Sequence, residues 1–210
     1  MKVGLRLGCI LAACLGTGAF TACSHPQNMA RNSWDPQTAA AYLDQREVTW
    51  MGWPGSARDH GTFCISCHTG LPYALSRPAL RKILAEQGPS VNERKLVENV
   101  SKRVRLWNEV KPFYDDGERY HDGKNSQSRG TESVLNALIL ASYDAQNGRL
   151  DTTTRMALDN MWSLQQTAGE EKGAWSWLQF GMEPWEAVDS QYYGAALAAI
   201  VVGTAPEDYR

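Results

Sequence analysis

Cys64-Ile65-Ser66-Cys67-His68 places two thiols and an imidazole within one turn's length of chain. Two soft nucleophiles three positions apart, with an imidazole directly after the second, form the C-x-x-C-H pattern that attaches a c-type haem. In that chemistry the thiols become thioethers on the two haem vinyl groups, and His68 takes the proximal side of the iron. The same two cysteines have two other uses. A C-x-x-C pair can be a redox dithiol, or half of a zinc site. Zinc needs two further Cys or His ligands at similar spacing, and the sequence has no second pair. A thioredoxin-like dithiol needs a strand before the cysteines and a helix after them. Here His60-Gly61 precede the motif and Gly70-Leu71-Pro72 follow it, so the predicted setting is a loop. The expected cofactor is one covalent haem c, held by Cys64, Cys67 and His68.

The N-terminus bears on the compartment. Lys2 and Arg6 form a basic start, and Cys9 to Phe20 follow as an apolar stretch too short to span a membrane. Residues 1–22 therefore read as a secretory signal peptide. Phe20-Thr21-Ala22-Cys23 resembles a bacterial lipobox, with Phe20 where Leu is usual. That resemblance implies cleavage before Cys23 and acylation of Cys23. The alternative is ordinary cleavage near Ala22, which would leave a soluble periplasmic protein. The expected location is the periplasmic side of a bacterial membrane, with the chain lipid-anchored at Cys23. The cysteine arithmetic agrees: of five cysteines, Cys9 and Cys14 leave with the signal, Cys23 is acylated, and Cys64 and Cys67 remain for haem. No structural disulfide is left to form, although the compartment is oxidising.

The full chain carries 21 Lys and Arg against 23 Asp and Glu; without Lys2 and Arg6 the balance is 19 against 23, a net charge of −4. An acidic mature chain is a poor partner for nucleic acid or for anionic membrane surfaces. Membrane contact is expected through the N-terminal lipid anchor alone. The partners left are a periplasmic redox protein or a small apolar ligand.

The elements that must position the motif read as helices. Residues 23–38 form a polar tether with Pro26 and Pro36. Asp35 and Pro36 then suit the N-cap and first position of a helix running to about Arg46. Trp50 to Gly55 are expected as an aromatic turn ahead of the motif. A second helix is predicted from Ser76-Arg77-Pro78 to about Gln87, before Gly88-Pro89. The haem-attachment region thus spans 39–90 and a helical-hairpin region 91–210. In the latter, helical spacing links Leu96, Val97, Val100, Val104 and Trp107, then Val134, Leu135, Leu138, Ile139 and Ser142. It also links Met156, Leu158, Met161, Trp162 and Gln165, then Tyr192, Tyr193, Ala196, Leu197, Ile200 and Val201. No stretch alternates as a strand does, so the class is all-α. Val97-Glu98-Asn99-Val100 aligns with Leu158-Asp159-Asn160-Met161, and Thr131-Glu132 with Ser190-Gln191. The repeat is about 60 residues long and reads as helix, long aromatic loop, helix.

Gln165-Gln166, then Gly173-Ala174-Trp175, then a helix opening at Asp189-Ser190-Gln191 resemble the repeats of the squalene-hopene cyclase and prenyltransferase superfamily. The spacing from Gln166 to Gly173 is longer than that repeat has. The resemblance covers about 92–203 and implies helical hairpins of a partial α/α toroid, with Gln166 and Trp175 bracing neighbouring helices. Cyclase chemistry is not expected. The Asp-x-Asp-Asp acid motif is absent, and Asp115-Asp116 beside Gly117 suits a solvated turn. The cysteines a prenyltransferase zinc site would need are already committed. The chain is also too short for a closed toroid.

Three residues are candidates for the sixth iron ligand: His60, Met182 and His121. Met182 lies in the loop Gly181-Met182-Glu183-Pro184-Trp185, and His121 in Tyr120-His121-Asp122-Gly123. His60 is close enough to His68 in sequence to be held on the proximal side, and an open site is a fourth option. Met156 and Met161 fit a helix face and are expected in the core. Two functions follow: electron transfer by an exported monohaem cytochrome-like protein that is not itself an enzyme, or binding of a terpenoid or lipid with haem as an accessory redox centre.

Overall fold

Asp35 starts the first helix. Its carboxylate accepts hydrogen bonds from the backbone N–H of Gln37 (3.0 Å) and Thr38 (3.2 Å), and Pro36 fills the first helical position. In the computed structural model, which describes residues 34–117, 119–120, 123–207 and 209, this helix (α1, Pro36–Gly52) runs past the expected end at Arg46 and takes in Trp50 and Met51. The aromatic turn is thus shorter than expected, from Trp53 onward. Chain beyond Asp35 belongs to one compact unit, and the described part is a bundle of six packed helices. The signal peptide, Cys23 and His121 lie outside the described residues.

A tight hairpin follows, pairing Ala57–Arg58 (β1) with Thr62–Phe63 (β2). His60 and Gly61 turn the chain with φ of 53° and 63°. The hairpin feeds directly into the motif, which is not the predicted loop. Ser66–Gly70 forms one π-helical turn that continues into α2 (Leu71–Ile83). Pro72, not Pro78, takes the early position where a missing N–H is harmless, and Pro78 lies inside α2. The expected start at Ser76 is therefore corrected, and the helix also ends before Gln87.

A capping box opens α3 (Val91–Arg105): the Glu93 N–H donates to Ser90 Oγ (3.1 Å), and the Ser90 N–H donates to Glu93 Oε2 (2.6 Å). Trp107 falls beyond its end. The long helix α4 (Lys124–Asp144) is the centre of the bundle; every residue from Gly130 to Ala141 is buried, and α2, α3, α5 and α6 pack around it. Asp151 caps α5 (Thr152–Ser163), and α6 (Ser190–Thr204) completes the fold. The core runs through Leu96, Val100, Val104, Leu138, Leu158 and Val201, and it includes Cys64, Ile65 and Cys67. Met161 is fully buried as expected. Met156, Tyr192 and Ile200 are exposed, because their helices present those faces to solvent. No helix among the described residues is long and apolar enough to cross a membrane.

The pairs α3–α4 and α5–α6 are two helix–loop–helix units. Their loops, 106–123 and 164–189, are the two long aromatic segments between helices. Trp175 is buried in the second loop, donates its indole N–H to the Met161 carbonyl (2.6 Å) and leans on Trp162. Gln166 engages Gly173 and Ala174 through its backbone, while its side-chain amide nitrogen is buried without a partner. Trp175 therefore ties its loop to the end of α5, and the Gln166 side chain does not share that task.

Candidate functional site

Three contacts fix the backbone ahead of the imidazole. The Cys64 N–H donates to the Ser56 carbonyl (2.8 Å), and the Trp50 indole N–H donates to the Cys64 carbonyl (2.5 Å). The Asn99 side chain acts as a short strand for Phe63, accepting from its N–H (2.8 Å) and donating to its carbonyl (3.0 Å). Ser66 then turns with φ of 67°, and its hydroxyl accepts from the N–H of His68 (3.2 Å) and Thr69 (3.1 Å). The π-turn closes with the Gly70 N–H on the Ile65 carbonyl (3.1 Å). Only glycine fits there: a Cβ at Gly70 would stand 2.1 Å from the Ile65 carbonyl oxygen. This closing glycine is what lets the motif turn within one tight loop of backbone and still enter α2.

Cys64, Cys67 and His68 line one cavity of about 400 Å³. Its aromatic and apolar walls come from three parts of the chain. Trp50 and Trp53 stand on one side; Phe113, Tyr114 and Tyr120 come from the first long loop, and Leu178, Phe180 and Met182 from the second. Tyr114, Tyr120 and Phe180 meet edge to face, with centroids 5.0–5.8 Å apart. Arg46 stands exposed at the mouth. A second, apolar cavity of about 470 Å³ adjoins the first at Cys67, His68 and Met182, lined by Leu71, Leu75, Trp185, Tyr193 and Leu197.

The loops are held by buried polar contacts. Arg103 is fully buried and donates to both carboxylate oxygens of Glu132 (2.5 and 3.2 Å). It also donates to Thr62 Oγ1 (2.7 Å) and the Lys111 carbonyl (2.8 Å), and its guanidinium lies over Phe113. One side chain thus links the hairpin, the first loop and α4. Thr131, beside Glu132, accepts from the Leu178 N–H (2.9 Å) and holds the second loop.

Burial sets the state of the two sulfurs. Burial pushes the Cys64 thiol up to about 11, and burial with the nearby Glu186 carboxylate pushes Cys67 well above its ordinary value. A bare thiolate is disfavoured at both positions. A thioether carries no charge and loses nothing by burial. Among the described residues no group of three or more His, Cys, Asp or Glu side chains is placed to hold a metal ion by itself. Two neutral sulfurs, an imidazole and aromatic walls fit a haem, and the cavities lie within the roughly 300–1,000 Å³ usual for bound cofactors.

Of the sequence candidates for the sixth ligand, Met182 lines both cavities and is half exposed. His60 lines neither; its ring faces Asp59 (3.9 Å), and its carbonyl accepts from Lys102 Nζ. Sequence reasoning missed Glu186 and Trp185. The Glu186 carboxylate is buried and sits 3.4 Å from His68 Nε2, and the Trp185 ring packs edge-on to the imidazole with centroids 5.1 Å apart. Their one sequence signal was an acidic residue within the aromatic loop that carries Met182. No protein-family model matches the chain, and no curated protein or solved structure is detectably similar to it.

Proposed function

We propose that this chain is an exported, monohaem c-type cytochrome-like protein that transfers single electrons. What carries the reading is the convergence of Cys64, Cys67 and His68 on one aromatic-walled cavity whose burial favours neutral sulfur. Cys64 and Cys67 would hold the haem by adding S–H across its two vinyl groups, the hydrogen going to the neighbouring vinyl carbon, which would leave no net charge in the core. Haem supplies the one-electron couple, and the chain supplies ligation, exclusion of water and an aromatic edge toward a periplasmic redox partner. The signal peptide and acylated Cys23 belong to this reading, because c-type attachment in bacteria occurs outside the cytoplasm. The two helix–loop–helix units belong to it as repeats of a partial α/α toroid whose loops have become haem walls.

The test is extraction. Full-length protein expressed with a c-type haem attachment system should keep its haem in acid–acetone. Cys64→Ser or Cys67→Ser should weaken retention, and the double change should abolish it. Complete extraction from the native protein would overturn the reading. The second cavity favours an additional reading, a small apolar ligand bound beside His68. Protection of Trp185 fluorescence from quenching by a soluble prenol would support it.

A further inference from the structure

The Glu186 carboxylate is more than nine-tenths buried, and its polar contacts are to the motif itself. It faces His68 Nε2 at 3.4 Å and shares a hydrogen bond with the Cys67 thiol. Among the described residues no Lys or Arg is ion-paired with it. Lys124 is close enough to feel its charge, but its ammonium is held by Gln127 and the Gln179 carbonyl over the Phe180 ring. The backbone holds Glu186 in place: its N–H donates to the Met182 carbonyl (2.8 Å), and its carbonyl accepts from Phe180 (2.7 Å) and Met182 (3.1 Å). The Trp185 ring against the imidazole fixes the face that His68 turns toward it.

Haem attachment removes both partners. Once Cys67 is a thioether it has no S–H to donate. Once Nε2 gives its lone pair to iron it has no N–H to donate. A buried carboxylate left with neither is strongly disfavoured unless a cation takes their place. A ferric iron held by His68 would supply that cation beside the carboxylate, which stands 3.4 Å from Nε2. Resting on the haem reading above, we infer that Glu186 is the second axial donor to the ferric iron, in place of Met182, His60 or His121. A carboxylate is a hard anionic ligand and prefers ferric to ferrous iron. Glu186 would therefore hold the ferric form more tightly than the ferrous form, which would leave a position open to carbon monoxide after reduction.

The experiment uses full-length holoprotein and three variants, read by visible absorption and electron paramagnetic resonance. Ferric wild type should be high-spin, and the ferrous form should bind carbon monoxide. Glu186→His should convert ferric haem to a low-spin bis-imidazole spectrum and abolish carbon monoxide binding, a gain that a misfolded chain cannot mimic. Glu186→Gln should shift the reduction potential upward, because an anionic ligand to the ferric form is lost. Met182→Ala should leave the ferric iron high-spin. A low-spin wild type that Met182→Ala makes high-spin would overturn the inference, as would a Glu186→His holoprotein with the wild-type spectrum. Haem retained in acid–acetone but insensitive to Glu186 defeats this inference alone; haem lost from the wild type defeats the attachment reading.

Discussion

Replacing Glu47 should make the protein more stable at neutral pH. Glu47 sits on the inner face of α1, is fully buried, and neither carboxylate oxygen has a hydrogen-bond partner. Burial pushes its carboxyl from 4.5 up to about 7. In the unfolded chain the group ionises at its ordinary value, so between 4.5 and about 7 the folded state holds a proton that the unfolded state has released. Stability must therefore fall as pH rises through this window, and the loss is complete above it. At about 1.4 kcal/mol per pKa unit, the window is worth about 3 kcal/mol. Glu47→Gln keeps the shape and removes the titration. Urea unfolding of both proteins from about pH 4 to about pH 8 gives the two profiles. Their difference should grow by about 3 kcal/mol across the window in favour of the variant. Parallel profiles would refute the argument, because they would mean that Glu47 finds a partner or water in the folded state.

Glu132→Ala leaves the fully buried Arg103 guanidinium without its carboxylate and should cost about 3–5 kcal/mol in urea unfolding, whereas pairing Glu132→Leu with Arg103→Met should recover much of it. Gly130→Ala should destabilise by about 1–3 kcal/mol, because the new methyl would meet the Ser176 carbonyl oxygen at 2.0 Å and both groups are backbone-bound. Gly52→Ala meets open space and should be neutral or stabilising by less than about 1 kcal/mol in the same urea unfolding. Cys23→Ser should move the protein from the membrane fraction to the soluble fraction, since lipid on Cys23 is the anchor proposed; wild-type protein found wholly in the soluble fraction would refute the anchor.

What was legible in the sequence was local. Asp35-Pro36 is a cap and a first helical residue whatever surrounds it, and the apolar spacing of Leu96, Val100 and Val104 needs only a helix to become a core face. What was not legible depends on contacts distant in sequence. The start of α2 was misplaced because Pro78 resembles a helix opening, whereas the π-turn that starts the helix earlier depends on Gly70 closing on the Ile65 carbonyl. The burial of Glu47 was hidden because α1 has little amphipathic pattern, so nothing marks which face turns inward. Met156 shares the spacing of Met161, and only the packing of α5 on α4 decides which one is buried. Glu186 comes to His68 from the opposite end of the chain, and no spacing rule joins the two.

The same reasoning explains why the motif depends on the two long interhelical loops. Exposed on a loop, C-x-x-C-H would keep thiols near their ordinary pKa and open to oxidation. Here Phe113 and Tyr114 arrive from the first interhelical loop and Leu178 and Phe180 from the second, so the two units each contribute one wall to the same cavity. Arg103 couples the first wall to the hairpin that leads into Cys64, and Thr131 couples the second wall to the neighbouring position on α4. The protected, neutral environment of the sulfurs is therefore a property of the paired loops, not of the five-residue pattern. Both cysteines are nearly sealed once those loops pack. The buried Arg103–Glu132 pair is completed only where the hairpin, the first loop and α4 meet, so the setting of the two thiols depends on all three.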